Sequence, residues 1–384
     1  MASKNKEPIS PKKLKRSNNF VSEWFGHRVY PYVALSSHCL DDQRTGSCPF
    51  LSRALGQRQG CIKSAASKGI CTITTVLDDG IYQDWIVCPY RIIDDSILNR
   101  TARDVFGITE AKKLITVPAS ALVDPQVRSV VADYAIDPDS EAVLYFQHKL
   151  GGEISIPPTA STPELSFDIL FVEVIANGGA FSCGRYALLE VQTMDFHGSY
   201  RNVVRNLQDA LRLHGDDFPE AVSKRVDWLS DHVEGPNISN VFKRTFYQIM
   251  VKFKLDGDPL CAGGVLALPR AVWNSWQRHL GGPSLIPIDE DCFEISSKGS
   301  RGRLAKRADV SGSKIYVLDF VYDRNYSPAS IDVGSVIITT VERLLEQAFM
   351  RVPQILVSKD GAVNTVMPTI RRRLRYVWPG FADN

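Results

Sequence analysis

Two neighbouring stretches carry side chains with the types and spacing to hold a divalent cation. One is Ser166-Phe167-Asp168-Ile169 and the other is Glu190-Val191-Gln192. Hydrolysis of a phosphodiester needs the charge building on the phosphate neutralised and a nucleophilic water supplied, and Mg²⁺ held by two carboxylates does both. Asp168 and Glu190 supply the carboxylates, the Val191 carbonyl lies within reach between them, and Gln192 can hydrogen-bond the attacking water. Glu153 follows the paired glycines of Lys149-Leu150-Gly151-Gly152-Glu153, where a sharp turn presents it at the end of an element. A second constellation is Cys48, Cys61, Cys71 and Cys88, spaced C-x12-C-x9-C-x16-C in a polar, loop-rich segment. Four thiolates favour a tetrahedral zinc or iron site that would staple such a segment. The absence of a CxxC knuckle leaves open the reading of small buried apolar cysteines. Cys39 is a fifth candidate outside that set of four.

The elements that position these groups are legible from periodicity. The apolar run after Asp168, the turn residues Asn177-Gly178-Gly179 and the run Arg185–Gln192 read as a hairpin that opens on an acid and closes on Glu-x-Gln. Alternation along a strand puts Glu190 and Gln192 on one face and Val191 on the other. Upstream, the pattern predicts a short helix over 127–134 and a strand over 142–147. Downstream it predicts an amphipathic helix over 200–213, burying Val203, Val204, Leu207, Ala210 and Leu211. A longer helix over 239–255 is capped by Asn237 or Ser239, with Val241, Phe246 and Ile249 apolar and Lys243, Arg244, Lys252 and Lys254 polar. A buried strand over 264–269, a helix over 271–280, a strand over 314–322 and a strand-then-helix stretch over 333–350 follow.

The chain has 384 residues, 44% of them hydrophobic, and can bury a sizeable core. Its formal charge is +2, but basic residues crowd the two ends, at Lys4–Arg16 and Arg371–Arg375, and again in the loop Lys298–Arg307. Such runs are solvated segments or phosphate contacts. No apolar h-region and no run of about 18 apolar residues is present, so a cytoplasmic protein without a membrane span is expected. Eight cysteines in a chain this long do not make a disulfide scaffold.

An Asp, an acid and a polar third group brought together by α-β-β-β-α-β topology is the logic of PD-(D/E)xK nucleases. Here Phe-Asp stands where Pro-Asp is usual, and Gln192 stands where Lys is usual. Longer blocks carry a more specific likeness: Phe25–Pro31, Cys48-Pro49-Phe50, Val87–Arg91, Lys149–Glu153, Glu190–Tyr200 and Glu234–Gln248. In this order they closely resemble the NotI-type family of type II restriction endonucleases, from about residue 20 to about residue 280. The basic arm, the turn around 178–183 and the region beyond about residue 285 look diverged.

The resemblance implies an α/β (α+β) fold, with a PD-(D/E)xK core whose mixed central sheet is flanked by helices and a small N-terminal Cys₄ subdomain. It divides the chain into a flexible basic arm (1–19), a metal-binding subdomain (20–115) and a nuclease domain (116–384). It implies Glu153, Asp168, Glu190 and Gln192 as the catalytic set, with Asp168 and Glu190 binding Mg²⁺ and Gln192 orienting water. It also implies a structural iron on Cys48, Cys61, Cys71 and Cys88, for which zinc is the chemical alternative. The expected activity is cleavage of both strands of GC-rich palindromic DNA by a homodimer in a bacterial cytoplasm. A nuclease triggered by modified bases or DNA structure, and a catalytically idle, metal-stapled DNA-binding protein, are the alternatives. Met194, His197, Lys243 and Arg244 are weaker candidates for DNA contact.

Overall fold

The computed structural model describes residues 17–296, 313–321 and 327–378, so the basic run Lys4–Arg16 and the loop Lys298–Arg307 lie outside the described residues, while Asn19, the last residue of the expected flexible arm, already belongs to a strand. An N-terminal sheet is formed by β1 (Asn19–Trp24), β2 (His27–Arg28), β3 (Ile70–Val76) and β4 (Tyr82–Ile86), in the order β2-β1-β3-β4. The loop between β2 and β3 carries two short helices, α1 (Ser37–Thr45) and α2 (Pro49–Leu55). Cys48 immediately precedes α2, whose first residue is a proline, a residue tolerated there because the N–H it lacks has no partner in the first turn.

The second sheet begins after α3 (Asp95–Phe106), whose start is fixed by the Asp94 side chain accepting from the Ser96 amide. In chain order its nine strands are β5 (Lys113–Pro118), β6 (Ser140–Phe146), β9 (Ile169–Asn177), β10 (Ala180–Val191), β13 (Cys261–Pro269), β14 (Leu285–Pro287), β15 (Cys292–Ile295), β16 (Ser313–Val321) and β17 (Ser330–Thr339). Their spatial order is β14-β15-β17-β16-β13-β10-β9-β6-β5. Two small pairs lie outside it, β7 (Ser155–Ile156) with β8 (Leu165–Ser166) and β11 (Phe196–Gly198) with β12 (Val233–Pro236). The sheet is mixed: β6, β9 and β10 run antiparallel in succession, and β13 then joins β10 in parallel. A parallel neighbour needs a crossover, and α5 (Arg201–His214), α6 (Phe218–Lys224) and α7 (Ile238–Lys252) lie in it. With α4 (Pro125–Ile136) before β6, the run α4-β6-β9-β10-α7-β13 has the order helix, three strands, helix, strand.

Helices cover both faces of this sheet. Helix α3 packs with Tyr145, Phe171, Leu189, Val265 and Tyr316 on one face. Helix α7 and the following α8 (Arg270–His279) bring Val241, Ile249, Trp273 and Trp276 against Leu266, Leu268, Ile315 and Val317 on the other. The N-terminal sheet is not a separate body. Its Val21, Trp24 and Ile73 pack with Val203, Leu207 and Phe218 of α5 and α6, and Cys48, Phe50 and Cys88 share the α3-side core. The expected boundary at 115/116 falls inside β5.

A buried ion pair reinforces this joint. Arg91 grips Glu23 of β1 through Nε at 2.8 Å and Nη2 at 3.0 Å, and also donates to the Ala329 carbonyl beside β17. Neither side chain reaches solvent. Burial alone would favour the neutral acid, but the Arg91 and Arg28 charges overcome it and hold the Glu23 carboxyl below its ordinary value. The stability this contributes is present above the ordinary carboxyl pKa and is lost as pH falls through the lower folded-state value. Arg91→Ala strands the buried carboxylate and is expected to cost about 3–5 kcal/mol at neutral pH, measured by urea unfolding, with a smaller cost in acid.

Candidate functional site

Hairpin β9-β10 forms as the turn chemistry requires, with Asn177 opposite Ala180 across Gly178-Gly179, both at positive φ. At its other end the last cross-strand pair is Leu189 with Ile169. One step beyond, Asp168 and Glu190 become neighbours. The Val191 amide donates to Asp168 Oδ2 at 2.8 Å, and the Asp168 amide lies 3.4 Å from Glu190 Oε1. Asp168 opens onto a cleft of about 160 Å³ shared with Glu153, Tyr90, His148, Phe167 and Val191. Glu190 is buried behind it, 6% exposed.

Charge decides what this pair can do. Burial, and then the Asp168 charge, push the Glu190 carboxyl up to about 7, although a lysine opposes them. That lysine is Lys252 at the end of α7, with Nζ 2.5 Å from Glu190 Oε2 and 5.6 Å from the centre of the Phe167 ring. Asp168 is exposed at the cleft mouth, yet the protein packed around it raises its pKa as well, against the Val191 amide and the Lys252 charge. Two crowded carboxylates whose charged forms are disfavoured, with oxygen donors only, suit a hard divalent cation such as Mg²⁺.

Gln192 sits elsewhere than its expected role requires. It is 6% exposed, its Nε2 donates to the Thr193 carbonyl, and its Oε1 accepts from Thr245 of α7. Both ends of the amide are therefore engaged inside the protein. Glu190 near the end of β10 and Gln192 just beyond it meet Lys252 and Thr245, seven apart on α7, so the strand end is tied to one face of the helix. Lys252, whose residue type argues for solvent, is instead buried against Glu190. Its signal lies in register, because Val241, Thr245, Ile249 and Lys252 follow the buried stripe of α7.

The other candidates are placed as follows. Met194 is buried beside Trp85 in the α7-side core, His197 and Lys243 are exposed, and Arg244 pairs with Asp195 at 3.2 Å. Asn237 precedes α7 without a side-chain capping bond. Cys48, Cys61, Cys71 and Cys88 line one small cavity with Phe25, Lys63 and Tyr90. Within it Cys71 and Cys88 share a hydrogen bond that raises the first thiol and lowers the second. Thiols grouped in this way suit a thiophilic ion, although no three of the sulfurs come within 4.8 Å of one another. Among the described residues, the one His/Cys/Asp/Glu group of three or more whose ligand atoms do so is His27, His38 and Cys39.

No protein-family model and no curated protein matches the chain. Among the described residues no helix is long and apolar enough to cross a membrane.

The Glu190 value fixes a pH dependence. The acid is neutral in both folded and unfolded chains below its ordinary value of 4.5, and its burial costs stability progressively as pH rises from there to about 7, above which the cost is constant. Mg²⁺ would bind the ionised pair, so the rise in Tm on adding Mg²⁺ is expected to be larger at about pH 8 than at about pH 6, and to vanish in Asp168→Asn. Differential scanning fluorimetry at the two pH values checks this; equal shifts would contradict the assignment.

Proposed function

We propose that the protein is a Mg²⁺-dependent, site-specific deoxyribonuclease of the type II restriction class, built on a PD-(D/E)xK core. The observation that carries this reading is the meeting of Asp168 and Glu190 at the end of β9-β10, with Glu153 on the same cleft and Lys252 against Glu190. The order α4-β6-β9-β10-α7-β13 supports it, since that is the order the nuclease core requires. GC-rich palindromic specificity and action as a homodimer rest on the sequence resemblance. Self-association is further supported by apolar side chains exposed near the C-terminus, among them Phe349, Met350, Val357 and Tyr376.

Asp168 and Glu190 would hold Mg²⁺, and Glu153 would support its waters. When bound, the ion neutralises the scissile phosphate and lowers the pKa of an attacking water. The net chemistry is addition of water across one P–O bond, giving a phosphate monoester and a free hydroxyl. This chain's own residues prepare the site. The Val191 amide fixes Asp168 facing the cleft, while Lys252 keeps Glu190 in place and supplies a positive charge that the strand itself lacks. Gln192 ties the end of β10 to α7 through Thr245, and it would reach water only by exchanging that bond. Cys48, Cys61, Cys71 and Cys88 would hold iron or zinc as a structural staple beside Tyr90.

Purified protein incubated with Mg²⁺ and unmethylated GC-rich plasmid is expected to give discrete fragments, and cognate methylation to block them. Asp168→Ala is expected to remove cutting with the Tm retained. Lys252→Met is expected to lower the cleavage rate by about 10²–10³, the scale of losing one charged stabilising group. DNA binding without cleavage by the wild-type protein in Mg²⁺ would instead mark a catalytically idle DNA-binding protein.

A further inference from the structure

We propose that His27, His38 and Cys39 form a second metal site that takes Zn²⁺, with Asp42 as the residue that orients His27. The two histidines and the cysteine come from β2 and the first turn of α1, and their ligand atoms all lie within 4.8 Å of one another. The site shares no ligand with the four-cysteine cavity or with the Asp168 cleft.

The hydrogen bonds around the cluster are those of a prepared site. His27 is fully buried, with Nε2 2.9 Å from Asp42 Oδ2 and Nδ1 2.9 Å from Ser327 Oγ. A carboxylate on one imidazole nitrogen fixes the tautomer and leaves the other nitrogen as ligand, which is how metal-binding histidines are commonly held. His38 Nε2 approaches the same serine, 2.7 Å from the Ser327 carbonyl oxygen. Cys39 Sγ is 2.7 Å from Ser36 Oγ and buried, while His38 is exposed and leaves a path for the ion.

Ligand chemistry selects the ion. Two imidazoles and a thiolate are too soft for Mg²⁺ or Ca²⁺ and suit Zn²⁺, which adopts four-coordination with a water or hydroxyl in the remaining place. Because Ser327 contacts both imidazoles, ion binding would link β2 and α1 to the turn that precedes β17. It thus acts on the same joint as the Glu23–Arg91 pair.

The test uses the full-length protein, stripped of metal and titrated with Co²⁺ as a spectroscopic stand-in and with Zn²⁺. Wild type is expected to bind one equivalent more than His38→Ala or Cys39→Ser. Cys39→Ser should also lose the cobalt–thiolate charge-transfer band of that equivalent, and Cys48→Ser should keep it. Asp42→Asn is expected to weaken Zn²⁺ binding about 10–100-fold. Since His38 is exposed, its replacement leaves the packed core intact, and the Zn²⁺-induced rise in Tm should be smaller in His38→Ala than in wild type. Equal stoichiometry and an unchanged spectrum in His38→Ala and Cys39→Ser would overturn the site, as would loss in Cys39→Ser alone.

Discussion

A carboxylate placed on a strand between helix-covered faces must find a cation or give up its charge, and Glu190 is that carboxylate. Desolvation of an ion costs several kcal/mol even after the protein relaxes around it. Lys252 offsets part of this cost, yet the Asp168 carboxyl one strand away adds repulsion, and the balance leaves Glu190 titrating near neutrality. The same strain is what would favour a cation at the pair. A group comfortably satisfied by the protein has little to gain from an ion, whereas two acids held in contact gain a great deal.

The architecture around the pair follows from the need to keep it crowded. Hairpin β9-β10 brings the acids side by side, parallel strand β13 supports β10 from the other edge, and the crossover returns through α7, which delivers Lys252 and Thr245. The segment that leaves the N-terminal sheet forms one wall of the cleft. Cys88 leads directly into Pro89 and Tyr90, which line the cleft with Glu153 and Asp168, so the segment that carries the cysteines also shapes the wall facing them. Arg91, next in the chain, reaches back to Glu23 of β1. Tyr90 lines both the four-cysteine cavity and the cleft, so the two share a wall.

The legible parts of this site were those governed by local rules. Turn glycines and alternating β-formers gave the hairpin, and the apolar periodicities of α5 and α7 gave helices close to their observed ends. Asp168 and Glu190 emerged because acids at the two ends of a hairpin must approach. Lys252 did not, because its residue type argues for solvent and only its place on the buried stripe of α7 argues otherwise. The orientation of Gln192 depends on a partner 53 residues away, Thr245, and no local pattern encodes that contact. The joint between the two sheets was hidden for the same reason: α5 and α6, far along the chain, supply the core beneath β1 and β3.

Lys252 also changes how the glutamine in Glu-x-Gln is to be understood. A lysine at position 192 would bring its charge to the end of β10 from the strand itself. Here the charge arrives from the helix, and position 192 is filled by a neutral group that can both donate and accept, which lets it bond the Thr193 carbonyl and the Thr245 hydroxyl together. A lysine at 192 could donate to the Thr193 carbonyl but could not accept from Thr245, so the tie between strand and helix would be lost. Glutamine at the strand end and lysine on the helix thus divide two tasks between them, the amide holding α7 through Thr245 and the ammonium meeting the Glu190 carboxylate.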